Sequence, residues 1–87
     1  MFVILVYDVN EKRVNKVLKT CRKYLNWVQN SVLEGDISDA NFRKLKSEIS
    51  RIINKDEDSV IVYILRTTKY SDREILGLEK GGESLFI

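Results

Sequence analysis

Asp8 is the residue of this chain best placed to do chemistry. It is the first charged side chain after the run Phe2-Val3-Ile4-Leu5-Val6-Tyr7. A continuous apolar run of this length reads as a strand buried on both faces, so the carboxylate falls where that strand leaves the core. A strand end is a rigid place to present one catalytic or metal-binding group. One carboxylate is a thin inventory, because magnesium usually takes one or two from the protein and keeps several waters. A two-fold dimer would bring a second Asp8 to share one ion. That ion would polarise a phosphate oxygen and lower the pKa of a bound water. The plainer alternative is that Asp8 caps a turn or the first helix, and spacing alone favours it.

The second candidate is a set of cations. Lys12, Arg13, Lys16, Lys19, Arg22 and Lys23 share one side of a helical pattern, with no acidic residue between Lys12 and Lys23. They read either as a solvated helix face or as a surface for phosphates. Arg66, Lys69 and Arg73 make a second, looser basic group. Other chemistries find little support. Histidine is absent, which excludes imidazole catalysis and His-ligated zinc within the chain. Ser31 has no general base at a fixed spacing. Cys21 falls on an apolar stripe and reads as core. Tyr24 and Trp27 read as rim packing rather than base stacking. Residues 56–58 read as a solvated acidic loop, and Gly81-Gly82 lacks the spacing of a phosphate-cradling loop.

The elements that must position these groups follow from periodicity. Asn10 is a plausible N-cap, and Val14, Val17, Leu18, Cys21, Tyr24 and Leu25 recur at helical spacing. Trp27 to Glu34 reads as one partly polar edge strand, closed by the turn signal Gly35-Asp36. Ser38 caps a second helix, with Ile37 and Phe42 as a hydrophobic staple. The buried stripe of that helix is Phe42, Leu45, Ile49, Ile52 and Ile53. After the charged loop Lys55-Asp56-Glu57-Asp58 comes a second all-apolar run, Val60-Ile61-Val62-Tyr63-Ile64-Leu65, which Arg66 to Tyr70 extends in polar form. Arg73 to Leu78 is a weaker edge strand. Lys80-Gly81-Gly82 is a hinge before the short apolar tail Leu85-Phe86-Ile87.

The expected order is βαβαββ with a short C-terminal fifth strand. The fold class is α+β: a ferredoxin-like sandwich, its antiparallel-rich sheet covered by two helices on one face. Two helices leave the other face of the central apolar strands bare, and a sheet-to-sheet homodimer is the economical cover. At 87 residues the chain is one domain, 1–87, with its core in 1–79 and with 80–87 free to add a strand to the partner subunit. The net charge of +2 argues only weakly for a polyanion. A lone cysteine suits a reducing compartment. The apolar runs are too short to span a membrane and no signal-peptide cleavage pattern follows them. The protein is expected to be cytoplasmic, with no membrane partner.

Tyr7-Asp8-Val9 at the end of the first strand, Arg13 opening a basic helix, and Gln29-Asn30-Ser31-Val32-Leu33-Glu34-Gly35 together resemble a known family. The chain looks like the small CRISPR-associated endonucleases, the smaller of the two near-universal proteins of spacer acquisition. The resemblance spans essentially the whole chain. It implies a ferredoxin-like homodimer and magnesium-dependent (or manganese-dependent) phosphodiester cleavage, on single-stranded RNA or duplex DNA. It implies Asp8 as the metal ligand shared between subunits, and Tyr7 and Arg13 as residues implicated in activity. Arg13, Lys12 and Lys16 would meet phosphates. It also implies a partnership with the CRISPR integrase, which allows a second expectation: a non-catalytic dimeric scaffold that bridges integrase dimers and holds duplex DNA. Two positions depart from the family pattern, Leu33 where Phe is frequent and Trp27 where some members carry Arg. A ferredoxin-like regulatory dimer binding a small ligand is a third expectation, against which the lack of a glycine-rich loop counts.

Overall fold

A computed structural model of the chain describes residues 1–67 and 70–79. The elements in order are β1 (Phe2–Asp8), α1 (Glu11–Cys21), β2 (Asn26–Gln29), β3 (Val32–Asp36), α2 (Asp39–Ile52), β4 (Ser59–Thr67) and β5 (Tyr70–Gly77). The five strands form one antiparallel sheet in the order β2-β3-β1-β4-β5. Both all-apolar runs are therefore interior strands, paired with each other from Phe2 opposite Leu65 to Asp8 opposite Ser59.

Side chains alternate across a strand, and β1 shows the consequence. Val3, Leu5 and Tyr7 are buried, whereas Phe2, Ile4 and Val6 are only half-buried. The buried set joins Leu33, Val60, Val62 and Ile64 from the sheet with Val17, Cys21, Phe42, Leu45 and Ile49 from the helices. Both helices thus cover a single face. The opposite face keeps Phe2, Ile4 and Val6 beside Val32, Ile61, Tyr63, Leu65 and Ile75, placed there by register. Ile61 is buried yet stands outside the helix-side cluster, and Leu65 is 38% exposed.

The helices are anchored as their caps suggest. The Asn10 side chain accepts from the Lys12 amide at 3.0 Å, and Ser38 Oγ accepts from the Asn41 amide at 3.1 Å. Ile37 and Phe42 are both buried beside that second cap. α1 is shorter than its periodicity suggests: it stops at Cys21, and Leu25 reaches the core from a following turn whose amide donates to the Cys21 carbonyl at 2.9 Å.

One expected strand is two. Residues 27–34 fold as the β2–β3 hairpin, turning at Asn30 and Ser31, with Asn30 at φ 36°. Asn tolerates this left-handed conformation better than most residues, so the polar stretch that reads as an edge strand is a turn. The order is therefore βαββαββ. The polar extension after Leu65 likewise closes β4 at Thr67, and β5 begins at Tyr70. The expected hinge and tail, 80–87, lie outside the described residues. Among those described, no helix is long and apolar enough to cross a membrane.

Candidate functional site

Asp8 ends β1 on the open, apolar face of the sheet and is exposed. Tyr7, its neighbour, points the other way by the same alternation. Its ring is buried under the helices, and its hydroxyl donates to the Asn30 carbonyl at 3.3 Å. Burial, and after it the nearby Cys21, hold the Tyr7 phenol above its ordinary pKa. The two adjacent side chains therefore leave β1 on opposite faces of the sheet. What Tyr7 does from its position is fasten the β2–β3 turn to β1, a tie doubled by its backbone amide donating to the Ser31 carbonyl at 3.1 Å.

Arg13 is turned inward. Its Nε donates to Asp58 Oδ2 at 2.6 Å and a terminal nitrogen to Oδ1 at 3.1 Å, a two-pronged pair, with Glu57 at 3.6 Å. Asp58 corrects the expectation of a solvated loop. Lys55, Asp56 and Glu57 are exposed, but the Asp58 side chain is fully buried. Its carboxylate also accepts from the Asn10 amide at 2.9 Å and the Asn54 amide at 2.8 Å. The Arg13 hydrogen bond, opposed by burial and supported by those amides, brings its pKa down to about 2. One carboxylate thereby joins the entry to α1, the exit from α2 and the start of β4. It fixes the turn that carries Asp8, and from its place in this pair Arg13 serves the site by holding that turn.

Lys12 and Lys16 are exposed on α1. Helix α1 begins three residues after Asp8, so Lys12 lies at the same end of the molecule. Lys19, Arg22 and Lys23 continue the basic surface along α1, and the exposed Arg43, Lys44 and Arg51 of α2 widen it. That second contribution is missed when each helix is read alone, since it depends on the two packing side by side. Lys23 and the Tyr24 hydroxyl both bond Glu48 across the helix pair. In the looser basic group, Arg66 lies beside Asp72 at 3.6 Å and Arg73 beside Glu79 at 3.1 Å, and Lys69 lies outside the described residues. Trp27 is 48% exposed, capped by the Arg22 guanidinium 5.4 Å from its ring, and its Nε1 donates to the Asn30 carbonyl at 2.8 Å. Cys21 is buried in the core and its thiol is pushed up to about 12 by burial, as befits a packing residue.

A magnesium site would need oxygen donors, and their supply is uneven. Among the described residues no three or more Asp, Glu, Cys or His side chains converge. Asp8 nonetheless fits the ion in kind, as a hard carboxylate on a rigid strand end. The Ser59 hydroxyl directly across the ladder is buried without a hydrogen-bond partner. Among the described residues, Asp8 and Ser59 are thus the neighbouring side-chain oxygen groups at this end of the open face.

Sheet order 2-3-1-4, two helices on one face and a carboxylate at the end of the central strand define a ferredoxin-like α+β sandwich with an open, apolar sheet surface. The chain belongs to the family described as CRISPR associated protein Cas2, whose model matches residues 1–73. It is 69% identical over 80 residues to a Dictyoglomus turgidum protein named CRISPR-associated endoribonuclease Cas2, covering 92% of both chains. A Thermotoga maritima protein of the same name is 59% identical over 81 residues, covering 93% of each. The crystal structure of Streptococcus pyogenes Cas2 matches with a TM-score of 0.70 at 38% identity, over 75% of this chain and 86% of that one. Another Cas2 crystal structure gives 0.74 at 43% identity, over 93% and 91%.

Proposed function

We propose that the protein is a CRISPR-associated endoribonuclease-type enzyme that hydrolyses phosphodiester bonds as a homodimer. The observation that carries this reading is Asp8, an exposed carboxylate at the end of a central strand, on an apolar sheet face that needs a cover. Packing two such faces together would bury Phe2, Ile4, Val6 and their neighbours and bring two copies of Asp8 toward one axis. There the pair would hold magnesium or manganese, oxygen ligation suiting either. The ion's contribution, when bound, is Lewis-acid polarisation of a phosphate and a more acidic water. The chain's own residues do the rest. Asp58 and Arg13 hold the β1–α1 turn, while Lys12 and Lys16 attract and orient the polyanion at the same end.

Asp8→Asn should keep the fold, because the site is exposed, and lose cation-dependent cleavage. The measurement compares both proteins on single-stranded RNA and on duplex DNA, with magnesium and with chelator. Equal cleavage by the two proteins removes Asp8 from the mechanism. The homodimer is tested separately: sedimentation should give twice the chain mass at micromolar concentration, and a monomer sinks the shared site.

The breadth of the basic helical layer favours a second role, a scaffold that holds duplex DNA between subunits of the CRISPR integrase. Insertion of a short duplex by the integrase that survives Asp8→Asn would favour the scaffold over the nuclease.

A further inference from the structure

Ser59 is 2% exposed, and its Oγ, among the described residues, is the buried side-chain polar atom left without a hydrogen-bond partner. Such atoms are uncommon in native proteins and each asks for a reason. Its surroundings narrow the choice. Ser59 lies directly opposite Asp8 in the β1–β4 ladder, and opposed residues of an antiparallel pair point to the same face with neighbouring Cβ atoms. On its other side it faces Gly77, which has no side chain to offer. A Cβ there would meet the Asp58 carbonyl oxygen at 2.2 Å, so no side chain can be supplied from β5. The next ladder position on this face is Ile61, with Val6 and Ile75 on either side. Among these neighbours, only the Asp8 side chain is polar.

We infer that Ser59 is a positioning residue for the Asp8 carboxylate. Its Oγ–H donates to a carboxylate oxygen in the side-chain orientation that Asp8 adopts to hold a divalent cation. This rests on the reading of Asp8 as a cation ligand. A serine with this task explains why a hydroxyl is buried where alanine would pack without an orphaned atom. It follows the general pattern in which a ligating carboxylate is itself held by a hydrogen bond from outside the coordination shell.

The test is manganese binding to the full chain, followed by electron paramagnetic resonance, for wild type, Asp8→Asn and Ser59→Ala. Thermal unfolding of each in chelator runs alongside. Wild type should bind, Asp8→Asn should not, and Ser59→Ala should bind roughly 10- to 100-fold more weakly, as outer-shell partners typically do. In chelator Ser59→Ala should unfold at or above the wild-type temperature, since it removes an unsatisfied buried atom. Equal affinity in wild type and Ser59→Ala, with Asp8→Asn silent, overturns the role of Ser59 and leaves Asp8 as the ligand. Wild-type affinity in Asp8→Asn, or no binding by wild type, overturns both. A Ser59→Ala protein that is weaker in binding and also less stable in chelator assigns the effect to folding, and the positioning role falls.

Discussion

Asp58→Ala is expected to cost about 3 kcal/mol of folding stability, the lower end of the range for breaking a buried ion pair by removing one partner. The lower end applies because the Arg13 side chain remains 22% exposed and can turn toward water. The substitution strands more than a guanidinium. The amides of Asn10 and Asn54 lose their acceptor together, so the entry to α1 and the exit from α2 loosen at once. In a domain of this size about 4–8 °C accompanies each kcal/mol, so the melting midpoint should fall by on the order of 15 °C. Acid titration gives a second readout. The folded-state pKa of Asp58 lies below its unfolded value, at about 2 against 3.8. Its contribution is therefore complete above the unfolded pKa and is lost as pH falls through the folded one. Wild-type stability should drop between about pH 4 and pH 2 by more than that of Asp58→Ala. Denaturant melts across that interval check both statements; a loss under about 1 kcal/mol at neutral pH would reduce the pair to the worth of a surface salt bridge.

Gly77→Ala should be comparably harmful for a different reason. Gly77 ends β5 at φ 89°, a conformation that costs a side-chain-bearing residue about 1–3 kcal/mol. The added Cβ would also sit 2.2 Å from the Asp58 carbonyl oxygen, which is backbone and cannot swing aside. The end of β5 must then lift from the start of β4, stretching the 2.8 Å bond from the Leu78 amide to that same carbonyl. A total near 3 kcal/mol is expected. Because both substitutions disturb the Asp58 segment, the double variant should lose less than the sum of the singles. Simple additivity in denaturant melts would mean that the two contacts are independent.

How much of this was legible depends on whether the deciding partner was close in sequence. β1 and β4 could be read because both are interior strands of the sheet with apolar side chains on its two faces, which leaves unbroken apolar runs. α1 and α2 could be read because helical periodicity and the caps Asn10 and Ser38 are local. The β2–β3 hairpin could not, since its turn rests on the backbone of Asn30, and an Asn-Ser pair is a weaker hairpin signal than Asn-Gly. Asp58 was hidden among the charges at 55–58. Which of three carboxylates turns inward is decided by Asn10 and Arg13, more than forty residues away. Asp8 stood out by its place after an apolar run, and the structure puts it at a strand end on the open face. The family resemblance paired Tyr7 with it as a site residue, although period-two alternation sends neighbours in a strand to opposite sides of a sheet.

The buried Cys21 has a practical consequence. A chain whose single thiol is shut in the core and held far from ionisation at neutral pH is a silent background for thiol-directed labelling. A cysteine placed at an exposed position such as Ser50 would take a spin label or fluorophore without competition from the native residue. Distances between two copies of such a probe would then test the proposed pairing of two chains in solution, with no native thiol adding to the signal.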